Sequence, residues 1–215
     1  MAVKKGRQTI LTSLPVSVSC WALSGGKKEG DGPLGKGFDY IYKDSFLGQD
    51  SWEKGESMMI ENTLGALLKK SALAPSDIEL IFSGDLMNQC TSTTYGIRSF
   101  DIPSYGIYGA CSNIGEAMSL CAMAIETGGI SRCCSLTSSH FCTAERQFRY
   151  PLEYGGVKTT TAQWTVTAST ALLIENKNKP PFIRAFSTGT ITDMGIKDIT
   201  NMGAAMAPDK DRHTS

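Results

Sequence analysis

The stretch Gly109-Ala-Cys-Ser-Asn-Ile-Gly115 lies where a predicted strand, residues 102–110, gives way to a predicted helix, residues 113–127. The strand is rich in tyrosine and glycine. The helix is built from Ala, Met, Leu, Cys and Ile, with charge only at Glu116 and Glu126. A helix that is apolar nearly all round is buried on several sides, so we expect it to lie inside a layered structure.

Strands and helices alternate along the rest of the chain. A helix is predicted from Asp50 or Ser51, because Asp50 and Glu53 have capping-box spacing. Four apolar residues mark its buried face: Ile60, Leu64, Leu67 and Leu68. Further strands are predicted over residues 78–83, 130–138, 164–174 and 182–189. Strands with few charges that alternate with helices predict an α/β sheet covered on both faces.

The N-terminus has features of a signal peptide, because Lys4, Lys5 and Arg7 precede an apolar stretch, residues 10–22. Four hydroxyl residues and a proline interrupt that stretch, and residues 14–20 alternate apolar with polar or proline residues. This period of two predicts a first β-strand instead of a signal peptide. No run reaches the roughly 18 apolar residues of a transmembrane helix.

Charge and cysteine content exclude several functions. The chain has 21 basic and 21 acidic side chains, so bulk electrostatics gives it no affinity for nucleic acid. Its seven cysteines are an odd number without a C-x-x-C pair, which supports neither a disulfide framework nor a metal site. We therefore expect a reducing compartment and no metal. The adjacent Cys133 and Cys134 would point to opposite faces of a strand as small buried side chains.

A glycine-rich loop over residues 24–37 contains a formal G-x-G-x-x-G at Gly30, Gly32 and Gly35. Pro33 removes a backbone N–H where a phosphate would need one, and no βα unit surrounds the motif. We therefore expect no dinucleotide cofactor.

Cys111 is the sharpest candidate for a functional residue. It lies at the strand-to-helix junction, where a helix N-terminus favours thiolate and small neighbours permit a tight turn that presents a nucleophile. Free cysteine is also commonly a small buried residue, and spacing alone does not separate the two interpretations.

Ser139 and His140 end the strand predicted over residues 130–138, at the carboxyl end where ligand crevices form in α/β sheets. They open a long predicted loop, residues 139–163, and long loops of this kind often carry function. His140 could bind a ligand or could be a hydrogen-bonded loop residue, and the sequence favours neither.

The same loop supplies Arg146, Arg149 and Tyr150, and Trp164 follows it. A guanidinium group binds a planar carboxylate in a bidentate manner, and a tryptophan can stack on an aromatic ligand. The alternatives are a surface salt bridge for the arginines and a core position for Trp164.

Read together, these motifs resemble the stage V sporulation protein AD (SpoVAD) family of the thiolase-like superfamily. The matching blocks are Lys5-Gly-Arg-Gln-Thr9, Gly48-Gln-Asp-Ser-Trp-Glu-Lys54, Gly84-Asp-Leu-Met-Asn-Gln89, Gly109-Ala-Cys-Ser112, Thr137-Ser-Ser-His140, Ala144-Glu-Arg-Gln-Phe-Arg-Tyr-Pro-Leu-Glu-Tyr-Gly-Gly156 and Thr161-Ala-Gln-Trp-Thr-Val-Thr167. The likeness runs from about residue 5 to Pro208 and rests on many motifs.

The resemblance implies a five-layer α/β/α/β/α sandwich built from two duplicated halves, which forms a homodimer in the intact family. It implies a non-enzymatic sporulation protein that binds dipicolinic acid and helps to move it, as its calcium chelate, into the developing spore. It further implies a cytoplasmic protein, associated peripherally with the forespore inner membrane and with other stage V sporulation A proteins. Cys111 occupies the position of the family cysteine, and no cofactor is expected.

The length departs from that pattern. A half unit needs roughly 100–110 residues before insertions, and the first half here extends over residues 1–175. Residues 176–208 begin a second half, and residues 209–215 have no counterpart in the matching blocks. We therefore expect a C-terminally truncated member with exposed sheet surface. His213 lies outside every matching block.

Three hypotheses follow from the sequence. The chain is a dipicolinate-binding protein whose ligand contacts are Cys111, Ser139, His140, Arg146, Arg149, Tyr150 and Trp164. Alternatively, it is an acyl-transferring thiolase-like enzyme, in which Cys111 attacks a thioester and backbone N–H groups stabilise the oxyanion. The third hypothesis is an inactive remnant.

Overall fold

The computed structural model describes residues 2–148, 165–193, 195 and 197, with the side chains of Asn88 and of residues 145–148 excepted. Along these parts the strands are β1 (Val3–Lys5), β2 (Thr9–Leu11), β3 (Val16–Gly25), β4 (Tyr40–Ile41), β5 (Leu80–Gly84), β6 (Ser104–Gly106), β7 (Arg132–Ser139), β8 (Ala168–Asn176) and β9 (Ala185–Ser187). The α-helices are α1 (Lys27–Gly30), α2 (Trp52–Ser71), α3 (Thr91–Ile97), α4 (Asn113–Glu126) and α5 (Phe141–Phe148).

A six-stranded mixed sheet forms the centre, with strand order β4-β3-β8-β7-β5-β6. β7, β5 and β6 are parallel to one another, whereas β8 is antiparallel to both of its neighbours. The carboxyl ends of β7, β5 and β6 therefore meet at one edge of the sheet, which is where a crevice can form. A separate antiparallel sheet joins β1, β2 and β9.

Helix α2 covers one face of the central sheet. All four residues of its predicted stripe are buried in one core cluster, together with Ile81 of β5 and Leu173 of β8. The predicted buried face of this helix is therefore confirmed. Of the two predicted starts, Ser51 is the N-cap, and its hydroxyl accepts a hydrogen bond from Lys54 N–H at 3.3 Å; the capping role predicted for Asp50 is wrong.

Helix α4 covers the opposite face, and its buried residues include Ala117, Cys121 and Ile125. Cys133 packs into the cluster beside α4, whereas Cys134 packs into the cluster beside α2. The prediction that the two side chains lie on opposite faces is confirmed. Burial raises the pKa of the Cys134 thiol to about 12, so it stays protonated as an apolar core group.

The first long strand is confirmed within the stretch that has features of a signal peptide, but its side chains change face midway. Val16 and Val18 pack on the α4 side, and the pairing register with β8 shifts between Val18 and Cys20. This irregularity turns Cys20 towards the α2 side. Trp21, next in the chain, is 47% exposed although it lies within the central sheet.

Several predicted boundaries were wrong. Residues 139–163 do not form a continuous loop, because α5 occupies residues 141–148 of it. The strands predicted over residues 102–110 and 182–189 are reduced to the three-residue strands β6 and β9. In the loop at 24–37, a Cβ on Gly35 would collide with the carbonyl oxygen of Gly30. Close backbone packing therefore explains the glycine there.

Within the described residues, no helix is both long and apolar enough to cross a membrane. The same part of the chain contains no group of three His, Cys, Asp or Glu side chains placed to hold a metal ion.

Candidate functional site

The turn before α4 presents Cys111 to solvent. A short 3-10 turn, Ala110–Ser112, connects the segment after β6 to α4, and Cys111 is exposed. The Ser112 hydroxyl donates to the Gly109 carbonyl at 2.7 Å, so it does not cap the helix. Among the described side chains, none caps α4; the 3-10 turn runs directly into the helix, and Asn113 N–H donates to the Ala110 carbonyl.

Ala110 adopts a left-handed backbone conformation with φ of 49°. This conformation costs an L-residue roughly 1–2 kcal/mol, whereas glycine adopts it freely but loses more backbone entropy on folding. We expect Ala110→Gly to raise the free energy of unfolding by about 0.5–1 kcal/mol. Urea unfolding measures the change.

The matched control is Ala66→Gly within α2, where a helix interior makes glycine unfavourable by about 1 kcal/mol. The two substitutions should therefore change stability in opposite directions. Equal destabilisation by both would show that Ala110 carries no backbone strain.

The carboxyl end of β5 lies between β6 and β7. Asp85 follows it and is completely buried, and its carboxylate accepts hydrogen bonds from Met87 N–H at 2.7 Å and Thr93 N–H at 2.6 Å. Asp85 therefore fixes the loop after β5 and the start of α3 next to the Cys111 turn.

Glu56 of α2 is buried beneath the same edge of the sheet. Its carboxylate accepts hydrogen bonds from three hydroxyl groups: Ser138 at 2.8 Å, Thr143 at 2.9 Å and Ser92 at 3.3 Å. Burial, followed by the charge of Asp85, raises the pKa of Glu56 to about 7, against the opposing effect of the three hydroxyls. Glu56 thus connects α2 to β7, α5 and α3.

Ser139 and His140 lie at the end of β7, as predicted. The Ser139 hydroxyl donates to the Val166 carbonyl at 2.5 Å. The His140 ring is buried, with Cys142 N–H donating to Nδ1 at 3.2 Å and Nε2 lying 2.7 Å from the Ser45 carbonyl. Because Nδ1 accepts, the proton is on Nε2, which donates to Ser45. Burial lowers the pKa of His140, against the opposing effects of the Ser45 carbonyl and Glu29, so the ring is neutral at pH 7.

The structure therefore brings part of the predicted set to one edge of the sheet. Cys111 follows β6 and Ser139 ends β7, with β5 between them, and strands two apart are separated by about 10 Å. Arg146 lies in α5, and its side chain is outside the described residues. Arg149, Tyr150 and Trp164 also lie outside them, as does His213.

Three buried polar residues of this region were not selected as site candidates from the sequence: Glu56, Asp85 and Asn113. A signal for Glu56 was available, since it lies four residues before Ile60 in the apolar stripe of α2. A carboxylate within an apolar stripe is buried with the stripe, so it indicates that polar groups from other elements lie close enough to bind it.

Solved structures of similar fold include two synthases. The chain aligns with the priming β-ketosynthase of the R1128 polyketide pathway at a TM-score of 0.50 and 12% identity, over 83% of this chain and 53% of that one. It aligns with 3-oxoacyl-[acyl-carrier-protein] synthase III from Aquifex aeolicus VF5 at a TM-score of 0.53 and 12% identity, over 76% and 55%. At these identities the likeness shows a thiolase-like fold alone.

The sequence comparison is more specific. The family profile described as Stage V sporulation protein AD (SpoVAD) matches residues 6–212. The chain belongs to the SpoVAD family. The SpoVAD relative from Bacillus subtilis (strain 168), Stage V sporulation protein AD, is 40% identical over 203 residues, which are 94% of this chain and 60% of that protein. The chain thus spans less than two thirds of its SpoVAD relative.

Proposed function

We propose that this member of the SpoVAD family binds dipicolinic acid, pyridine-2,6-dicarboxylate, and assists its uptake into the developing spore without catalysing a reaction. The observation that carries the proposal is the family membership, because the resemblance of the motif blocks implies this ligand. The same family membership makes the chain a sporulation protein.

The geometry supports a flat dianionic ligand at the carboxyl ends of β5, β6 and β7. The exposed Cys111 lies at the start of α4, where the positive end of the helix dipole favours a carboxylate. The proposed contacts to the second carboxylate are Arg146 and Arg149, whose guanidinium groups suit carboxylate geometry. Ser139, Tyr150 and Trp164 complete the proposed set, whereas His140, expected as a contact from the sequence, is buried with both ring nitrogens engaged and is not kept in it.

Calorimetry with dipicolinate tests these contacts. We expect Cys111→Ala and Arg149→Ala each to weaken binding about tenfold or more, because each removes a contact to the ligand. The matched control is Cys20→Ala on β3, a partly buried cysteine in the core cluster beside α2, which should change affinity less than about twofold.

Benzene-1,3-dicarboxylate has the same two carboxylates without the ring nitrogen, and it serves as the ligand control. Unchanged dipicolinate affinity in both Cys111→Ala and Arg149→Ala would remove these residues from the site. Equal affinity for the two dicarboxylates would show that the site does not select the pyridine ring.

Acyl transfer is the second candidate function, because the solved structures of similar fold are named as synthases. In that reaction the Cys111 sulfur forms a bond to the acyl carbon of a thioester, and the departing thiolate takes up the proton that the cysteine loses. The engagement of both His140 ring nitrogens by Ser45 and Cys142 favours the binding function, since His140 is then not free to act as the base for Cys111.

Mass spectrometry after incubation with acetyl-CoA distinguishes the two functions. We expect no adduct on Cys111. An acetyl group on Cys111, absent from Cys111→Ala, would replace the binding function by acyl transfer.

We also propose that the protein acts with the other stage V sporulation A proteins at the spore inner membrane, as a homodimer. The edge strand β6 supports the homodimer, because one side of it is unpaired within the described sheet and Tyr105 is exposed there. Sedimentation velocity tests the homodimer, and a mass of one chain at high concentration would contradict it.

A further inference from the structure

Asn113, the first residue of α4, is buried between two loops that follow parallel strands. Its Oδ1 accepts a hydrogen bond from Gly109 N–H at 2.6 Å. Its Nδ2 donates to the Asp85 carbonyl at 3.2 Å. One amide group therefore joins the turn before Cys111 to the end of β5.

The two partners require an amide at this position. Gly109 N–H needs an acceptor, and the Asp85 carbonyl needs a donor, and asparagine supplies both from one short side chain. Aspartate would keep the acceptor but place a second acceptor against the Asp85 carbonyl. Leucine would leave the buried Asp85 carbonyl and the partly buried Gly109 N–H without this partner, and an unsatisfied buried group costs more than a hydrogen bond contributes.

The packing around Asn113 is close on both sides. A Cβ on Gly84 would come within 2.8 Å of Asn113 Nδ2 and would also collide with the Ile107 carbonyl. A Cβ on Gly109 would come within 2.6 Å of the Ser112 hydroxyl. Glycine at position 84 lets the end of β5 approach the amide, while the hydrogen bond from Gly109 N–H holds the turn on its other side, so the amide fixes the separation of the two loops.

We propose that Asn113 is a positioning residue, which holds the Cys111 turn against the end of β5 in the conformation that receives ligand. The carboxylate of Asp85 extends this connection, because it holds the loop of Met87 and the start of α3. Cys111 contacts the ligand and Asn113 does not. The effect of Asn113 on dipicolinate binding rests on the proposed function, whereas its hold on the turn does not.

Amide hydrogen exchange of Gly109 and Cys111, followed by NMR without ligand, tests the hold directly. In Asn113→Ala we expect exchange at Gly109 to become about tenfold faster or more, because the local opening of the turn becomes easier. Asn113→Asp keeps the acceptor, so Gly109 should stay within about threefold of the parent.

The matched control for lost stability is Ile125→Val at the far end of the same helix, where Ile125 is fully buried. It should lower the melting temperature while leaving Gly109 exchange and dipicolinate affinity within about twofold of the parent. In Asn113→Ala dipicolinate affinity should fall about tenfold. A residue with only a structural role would behave like Ile125→Val.

The outcomes separate this inference from the proposed function. If Asn113→Ala exchanges at Gly109 no faster than Ile125→Val, Asn113 does not position the turn and the inference is wrong. Faster exchange with unchanged dipicolinate affinity also overturns it, because the turn is then not the ligand-receiving element. If the parent chain binds no dipicolinate, the proposed function fails, while the exchange comparison still decides whether Asn113 holds the turn.

Discussion

Leu64→Ala should lower the free energy of unfolding by about 2–5 kcal/mol, the range for removing a buried leucine side chain and leaving a cavity. Leu64 is fully buried at the centre of the interface between α2 and the sheet. Its neighbours come from a helix and several strands, so they cannot all move to fill the space. Urea unfolding at fixed pH measures the loss.

Leu34→Ala is the matched control, because Leu34 is 79% exposed and loses little contact on truncation. Its effect should stay within about 0.5 kcal/mol of the parent. A loss at Leu64 no larger than the loss at Leu34 would contradict the packing of α2 on the sheet.

Glu56→Gln should stabilise the protein by about 3 kcal/mol at alkaline pH and much less at acidic pH. Burial and the charge of Asp85 raise the pKa of Glu56 from 4.5 to about 7. The folded protein therefore holds a proton that the unfolded chain releases. The stabilisation that Glu56 contributes is fully present at a pH below its pKa in the unfolded chain. It is lost as the pH rises through its pKa in the folded protein.

Glutamine has no charge to bury and still accepts hydroxyl hydrogen bonds, so its stability does not follow this pH dependence. The measurement is the difference in unfolding free energy between Glu56→Gln and the parent, at about pH 5 and about pH 8.5. Asp39→Asn is the control. Burial raises the pKa of Asp39, but the hydrogen bonds from Lys70 and from Leu23 N–H outweigh this effect and hold the pKa below 3.8.

The effect of Asp39→Asn should therefore be constant over this range, because Asp39 titrates below it. If the difference in unfolding free energy between Glu56→Gln and the parent does not grow with pH, Glu56 is not a buried carboxyl group with a raised pKa.

The fold followed from patterns that act over short distances. The apolar stripe of α2 and the nearly apolar helix α4 are set by side-chain periodicity, so both helices were predicted with small errors at their ends. The opposite faces of Cys133 and Cys134 followed from strand geometry alone. The family resemblance supplied the layered architecture, which the structural neighbours support.

The rest depends on contacts between distant residues. The face of Cys20 depends on an irregularity in the pairing of β3 with β8, and no local pattern reveals it. Glu56 meets hydroxyls 36 to 87 residues away, and Asn113 meets a carbonyl 28 residues earlier. His140 was open to two interpretations because its partner Ser45 lies 95 residues away. Such partners are fixed by the tertiary structure.

Thermal unfolding of the 215-residue chain with and without dipicolinate tests the central proposal most directly. A ligand that binds only the folded state raises the melting temperature as its concentration exceeds the dissociation constant. We predict one cooperative transition that dipicolinate shifts upward in a concentration-dependent manner, and that benzene-1,3-dicarboxylate shifts far less. A transition unmoved by dipicolinate, or the absence of a cooperative transition, would contradict the proposal that this chain is a folded dipicolinate-binding protein.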